Sequence, residues 1–404
     1  MKTQLLSALF FLLSFTCFSQ WTPVNINSGY SLKKVTFADS ITGYLIGDTI
    51  IGLNLAGKIY KTIDAGLTWD QKDFILLANS DIDFIHSDTV FVSSNDGQYT
   101  YTRLTTNGGT TWLTVNPDAP NGPQHFISAT KGFATKNISG SIEVYKTTDG
   151  GAFWKPTAIT SGPSAVQDIQ YINATEGFVG GLYGPLIANV NMSMLQVNYM
   201  GAQTFATHEL QFFNSDTGYF AALETVNNIS SLYFTADKGI TIQPTIDFTL
   251  FGLAASEEII SFDCYDLMHC LCLTISGFMF YTDDGGVSWW NENSGYQNLY
   301  SVDYQPGFAI AVGENGMVLR RDFTTAVNDV SIKNQYRCFP NPAQQSITVS
   351  GSEIIYPVTI IDLTGKPVSV SEDATIETKA LTPGIYFVRI ETSHGVYHTK
   401  FVRL

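Results

Sequence analysis

Acidic and amide side chains that return at regular intervals are the first residues in this chain that could do chemistry. Thr62-x-Asp64-x-Gly66-x-Thr68-Trp69 recurs as Thr105-x-Asn107-x-Gly109-x-Thr111-Trp112 and as Thr147-x-Asp149-x-Gly151-x-Phe153-Trp154. Weaker copies are Thr235-x-Asp237-x-Gly239-x-Thr241-Ile242 and Thr282-x-Asp284-x-Gly286-x-Ser288-Trp289. Such carboxylates could act as general acids and bases, as calcium ligands, or as acceptors inside a turn. Identical copies spread along a chain cannot converge on one substrate, so the turn reading is favoured. The Asp or Asn oxygen suits an Asx-turn, and the glycine tolerates the left-handed backbone that the turn needs. The Trp side chains bury a large apolar face while keeping an N–H near a rim.

Other reactive residues give weaker signals. Cys264, Cys270 and Cys272 cluster beside His269, and Cys338 lies far along the chain. Cys270 and Cys272 fall on one face of one strand, with Cys264 on the strand before it. Buried apolar cysteine is the expected state. A cross-strand disulfide is the alternative for an exported chain, and a metal site lacks paired Cys-x-x-Cys spacing. No metal and no other cofactor is expected. The chain holds no Gly-x-Ser-x-Gly elbow, no His-Glu-x-x-His pair and no glycine-rich phosphate loop, so no catalytic residue is assigned.

The background charge limits the partners. Of 404 residues, 21 are Lys or Arg and 36 are Asp or Glu, a net charge of −15. That balance disfavours nucleic acid, whose phosphates need clustered cations, and also disfavours anionic lipid. Apolar residues at 44% and aromatics at 13% supply a core and exclude a wholly disordered chain. The charge is uneven: residues 20–334 hold 14 basic and 30 acidic side chains, whereas residues 335–404 hold 6 of each. The break predicts two domains joined by a linker over 329–335.

The elements that must position the boxes follow from their period. Their third positions step by 43, 42, 88 and 47 residues, so one unit near Asn189–Ser193 lacks the motif. A second motif precedes the boxes: Val35-Thr36-Phe37 with Gly43, His125-Phe126-Ile127 with Gly132, and Ile169-Gln170-Tyr171 with Gly177. It continues as Leu210-Gln211-Phe212 with Gly218 and Val302-Asp303-Tyr304 with Gly307. Divergent units around 83–92 and 260–273 bring the count to seven. Each unit reads as four short alternating strands, Leu32–Ala38, Gly43–Gly47, Lys58–Thr62 and Thr68–Asp73 in the first. Units of this length with this pattern predict an all-β, seven-bladed β-propeller over 20–328. The last unit has no fourth strand after Met317–Arg321, so Trp21–Ile26 is expected to complete it and close the ring.

The Thr-x-Asp-x-Gly-x-Thr-Trp pattern resembles the Asp box of BNR-type propellers, and the whole repeat resembles the BNR-like propellers of photosystem II assembly and stability factors. Sortilin and sialidase propellers carry similar boxes. Sialidase activity, as that resemblance implies, needs three arginines gripping a carboxylate. The repeat region has only Arg103, Arg320 and Arg321, and the last two point to opposite faces of one strand. Xyloglucan-type hydrolases with such boxes use two propellers, and this chain has room for one.

Both ends read as addresses. Met1-Lys2 precedes the apolar run Leu5–Phe18, whose 14 residues are fewer than the roughly 20 a membrane helix needs. With Cys17 and Ser19 before Gln20, residues 1–19 are expected to be a cleaved signal peptide. No later segment is expected to cross a membrane. Over 336–404, the order Phe339-Pro340-Asn341-Pro342, Ile360-Ile361-Asp362-Leu363-Thr364-Gly365, Leu381-Thr382-Pro383-Gly384-Ile385-Tyr386 and Lys400-Phe401-Val402 resembles the type A C-terminal sorting domain of the type IX (Por) secretion system of Bacteroidetes. The resemblance implies a small Ig-like β-sandwich, engagement with that machinery, and a secreted or outer-membrane-surface destination. The expected function is non-catalytic binding of an extracellular glycan or protein by a monomer. Asp48, Asn54, Asn137, Tyr183, Asn227 and Glu314, in loops at one face, are the candidate binding residues. A polysaccharide-degrading hydrolase is the alternative.

Overall fold

The structure, a computed structural model, describes residues 21–323 and 337–404 apart from 27, 52–53, 76, 97, 117–118, 139–140, 162–164, 175, 183–186, 192–195, 200–204, 352–353, 363–365 and 393–394. The signal peptide expected over 1–19 and the linker expected over 329–335 lie outside the described residues.

Among the described residues before 324, strands pair into seven four-stranded antiparallel sheets. Six are built from consecutive strands, over 31–75, 78–116, 124–161, 165–199, 205–244 and 259–293. The seventh joins Leu299–Gln305, Phe308–Gly313 and Val318–Asp322 to the N-terminal Thr22–Pro23. Thr22 lies opposite Arg320 and Pro23 opposite Leu319, and the Val24 N–H donates to the Val318 carbonyl at 2.8 Å. The closing strand, Thr22–Pro23, is shorter than Trp21–Ile26. Trp21 is buried with Leu319 and Ala309 in the core of that sheet.

The second sequence motif has a steric cause. A Cβ on Gly43, Gly132, Gly177 or Gly218 would meet the ring of Phe37, Phe126, Tyr171 or Phe212 at 2.5–2.8 Å, so the ring ending each first strand lies flat on a bare backbone. In the third blade this places Gln124-His125-Phe126 where the sequence suggests His125-Phe126-Ile127, a shift of one residue. Neighbouring blades then stack aromatic rings, with centroids 3.4 Å apart for Phe91–Phe126 and 3.6 Å for Phe178–Phe212.

The Asp box is a hydrogen-bonded turn. Asp64 Oδ1 accepts from the Thr62 hydroxyl at 2.7 Å and the Thr68 N–H at 2.9 Å, and Oδ2 accepts from the Thr68 hydroxyl at 2.6 Å. Gly66 adopts φ 82°, a left-handed conformation that a side chain would strain. Asn107, Asp149, Asp237 and Asp284 accept the same hydroxyl and N–H bonds, and Gly109, Gly151, Gly239 and Gly286 are likewise left-handed.

Residues 337–403 form a three-stranded and a four-stranded sheet around one core that includes Ile347, Val358, Val388, Ile390 and Phe401. Asn341 clamps the terminal strand, donating to the Lys400 carbonyl at 3.2 Å and accepting from the Val402 N–H at 2.8 Å. Pro340 and Pro342 each follow a cis peptide bond. Gly384 has φ 156°, and the Tyr386 hydroxyl donates to the Thr382 carbonyl at 2.9 Å. Ile385 and Val402 leave this core and pack instead with Phe248, Phe262 and Phe280 of the propeller.

Candidate functional site

The first strands surround the propeller's axis, and nearly all of them carry the same irregularity near their start. Register shifts occur at Leu32/Lys34, Asn79/Asp81, Val166/Asp168, Thr207/Glu209, Ile259/Ser261 and Leu299/Ser301. A bulge opposes two residues to one and re-aims the side chain that follows it. Lys34, Asp81, Asp168, Glu209, Ser261 and Ser301 consequently line one cavity of about 330 Å³ at the mouth of the channel. Two residues further along each strand, and so on the same side, come Asp83, Gln170, Gln211, Asp263 and Asp303. Gln170, Gln211 and Asp263 line a deeper cavity of about 180 Å³ together with His125.

Most of these side chains reach across to the next blade. Asp168 Oδ2 accepts from the Leu210 N–H at 2.9 Å, Glu209 Oε2 from Phe262 at 2.7 Å, and Ser261 Oγ from Val302 at 3.3 Å. In the deeper ring Gln170 accepts from Phe212, Gln211 from Cys264 and Asp263 from Tyr304. First-strand N–H groups that lack a sheet partner on the channel side are thus satisfied by the preceding blade.

Electrostatics follow from this crowding. Burial and the neighbouring Asp168 push Glu209 up to about 8. Burial lifts Asp168 to about 6 against the pull of Lys34. Asp263 also rises to about 6 by burial, opposed by its hydrogen bonds from Tyr304 and Gln211. Asp303 is pushed well above the usual range by burial and by Asp263. Burial works against the Lys34 ammonium, but Asp81, Asp168 and Glu209 outweigh it and keep Lys34 charged, with Asp81 at 2.7 Å. The channel mouth therefore offers two ammoniums, Lys33 and Lys34, among several acceptors, a surface suited to a polar ligand.

The residues expected to bind are placed elsewhere. Asp48 lies 3.6 Å from Lys33, Asn54 begins a strand, and Asn137 is the penultimate residue of one, opposite Ile142. Asn227 donates to Glu224 at 2.8 Å, and Glu314 accepts from Asn298 at 2.7 Å. Tyr183 lies outside the described residues. None of the five described residues lines the channel mouth. The sequence signal for the ring was the residue just before each aliphatic-x-aromatic triplet, legible only once the bulge is known.

All three propeller arginines are committed. Arg321 grips Glu292 at 2.7 and 2.5 Å, Arg320 pairs with Asp322, and Arg103 with Asp73. Cys264 and Cys270, expected as buried thiols, are joined in a disulfide because hairpin register places them directly opposite, Cα atoms 4.1 Å apart. Cys272 is a buried free thiol. Among the described residues no group of three or more His, Cys, Asp or Glu side chains is placed to hold a metal ion. No helix among them is long and apolar enough to cross a membrane.

Fold and motifs together define a BNR-repeat propeller that carries a secretion sorting domain. Residues 337–403 match the family described as the secretion system C-terminal sorting domain, and residues 13–180 match the photosynthesis system II assembly factor YCF48 family. The sorting domain marks the protein for export to the cell surface or beyond and implies engagement with the secretion machinery. Among solved structures, YCF48 bound to D1 peptide is 15% identical, covering 76% of this chain and 98% of that one, with a TM-score of 0.56. YCF48 from Cyanidioschyzon merolae is 17% identical over 75% and 98%, with a TM-score of 0.57. The GH74 enzyme of Niastella koreensis is 12% identical over 94% and 67%, with a TM-score of 0.56. At these identities the likeness is one of fold. No curated protein matches the chain.

Proposed function

We propose that the exported propeller is a non-catalytic binding module whose ligand is an extracellular glycan or protein. One observation carries this reading: channel carboxylates are spent on tethers between blades, with Asp168, Glu209, Asp263 and Asp303 each accepting a backbone N–H of the next blade. A hydrolase needs a pair of carboxyl groups free to face a glycosidic bond. The similar propeller solved with a D1 peptide also supports a binding role for such a ring.

A second reading, polysaccharide hydrolysis, is favoured by the split between Glu209 at about 8 and Asp168 at about 6, since a protonated and an ionised carboxyl side by side can serve as acid and base. The GH74 enzyme shows that a similar fold accompanies an enzyme. A glycan and protein array combined with a reducing-sugar assay separates the two. Binding without sugar release is expected. Release that disappears in both Glu209→Gln and Asp168→Asn would establish the second reading in place of the first.

A further inference from the structure

The box of the third blade departs from the others at one residue. Thr68, Thr241 and Ser288 donate their hydroxyls to the box carboxylate at 2.6, 2.7 and 2.5 Å, and Thr111 accepts from Asn107 at 2.9 Å. The third blade has Phe153 at this position. Asp149 keeps its bonds from the Thr147 hydroxyl at 2.8 Å and the Phe153 N–H at 3.0 Å but has no hydroxyl to accept there. The phenyl ring is 67% exposed, so it does not repay the lost turn bond with core packing.

Phe153 lines a groove of about 460 Å³ between the second and third blades, within the roughly 300–1,000 Å³ of small-molecule clefts. Tyr99, 47% exposed on the facing hairpin, supplies a second ring, with Gln98, Asn121 and Lys136 at the same groove. Trp154 also lines it; the residue is 6% exposed and its Nε1–H has no hydrogen-bond partner. The box indoles of Trp69 and Trp289 do have partners, the Gly66 and Thr245 carbonyls at 3.2 and 2.7 Å. Trp112 is likewise unpartnered, but the Arg103 guanidinium covers its ring at 5.4 Å. No carboxylate lines the groove.

We propose that this groove binds a pyranose-containing glycan. The inference rests on the binding reading above and names its ligand class and its place. Flat apolar C–H faces of a sugar pack on the Phe153 and Tyr99 rings. Sugar hydroxyls meet the amides of Gln98 and Asn121 at the groove, and the lack of carboxylates fits a neutral or weakly anionic chain.

The test is calorimetric titration of the mature full chain with soluble cello-, xylo-, malto- and manno-hexaoses, beside Phe153→Thr, Phe153→Trp and Tyr99→Ala. At least one hexaose binds the wild type. Phe153→Thr, which restores the box hydroxyl, binds it at least tenfold more weakly while melting at the same or a higher temperature; Tyr99→Ala also weakens it, and Phe153→Trp retains it. Equal affinity in Phe153→Thr and wild type would overturn the groove assignment and leave the binding module standing. A wild type that takes none of the sugars but captures a peptide lost in Phe153→Thr would overturn the glycan class. Sugar release by the wild type would count against the non-catalytic reading alone.

Discussion

The carboxylate of Asp303 accepts a 2.8 Å hydrogen bond from the backbone N–H of Phe37, across 266 residues of sequence. Ser301 Oγ accepts from the Val35 N–H beside it at 3.3 Å. The ring is therefore closed twice, by Thr22–Pro23 within the seventh sheet and by these acceptors along the channel. Asp303→Ala leaves the Phe37 N–H buried without a partner and should lower stability by about 1–3 kcal/mol. Asp303→Asn keeps an acceptor oxygen and should cost less. Urea unfolding measures both, and an alanine variant as stable as the wild type would refute the second closure.

Glu209 makes stability depend on pH. Its folded value, about 8, lies above its ordinary 4.5, so the folded chain holds this proton where the unfolded chain has lost it. The stability it contributes is full below pH 4.5 and is lost as pH rises through about 8. Thermal midpoints should fall across that window, and Glu209→Gln should flatten the fall. An unchanged slope in the variant would show that Glu209 titrates normally.

Lys400 should act in the opposite sense. It is 6% exposed where the sorting domain meets the sixth blade, and its Nζ has no hydrogen-bond partner. Burial pushes its ammonium down to about 7, against the pull of Asp284, Asp266 and Asp283. Stability should therefore rise between pH 7 and its ordinary 10.5 as the proton leaves. Lys400→Met should stabilise the intact chain by about 1–3 kcal/mol at pH 7 and abolish that rise. Destabilisation by the methionine would mean that the ammonium has a partner after all.

Thiol chemistry offers a direct count. With Cys264 and Cys270 bonded and Cys272 and Cys338 free, the denatured mature chain should titrate two thiols, and four after reduction. Cys272, buried and with its thiol pushed up by burial, should not react in the folded chain. Four thiols before reduction would show that the hairpin pair is not bonded.

Much of this architecture was legible in the residues because it is written in local turns. Asp64, Gly66 and Thr68 satisfy one another within five positions, so their chemistry repeats wherever the turn repeats. Phe37 and Gly43 likewise form a contact within one hairpin. The sorting motif is legible in its residue types, although its Asn341 clamps a strand 61 positions away. The channel rings were not legible. A bulge turns Asp168 and Glu209 toward the axis, and without it the alternation of the strand assigns the wrong face.

By itself, then, the chain of residues determined the repeat, its turns, the number of sheets and the export address, since the repeated turns depend on neighbours a few positions apart and the address is carried by short motifs in fixed order. Only the tertiary structure decided which carboxylates tie blade to blade, that Cys264 meets Cys270, and that Phe153 and Tyr99 line one groove. Those relations hold between groups brought together by register and ring closure, and spacing along a strand does not encode them.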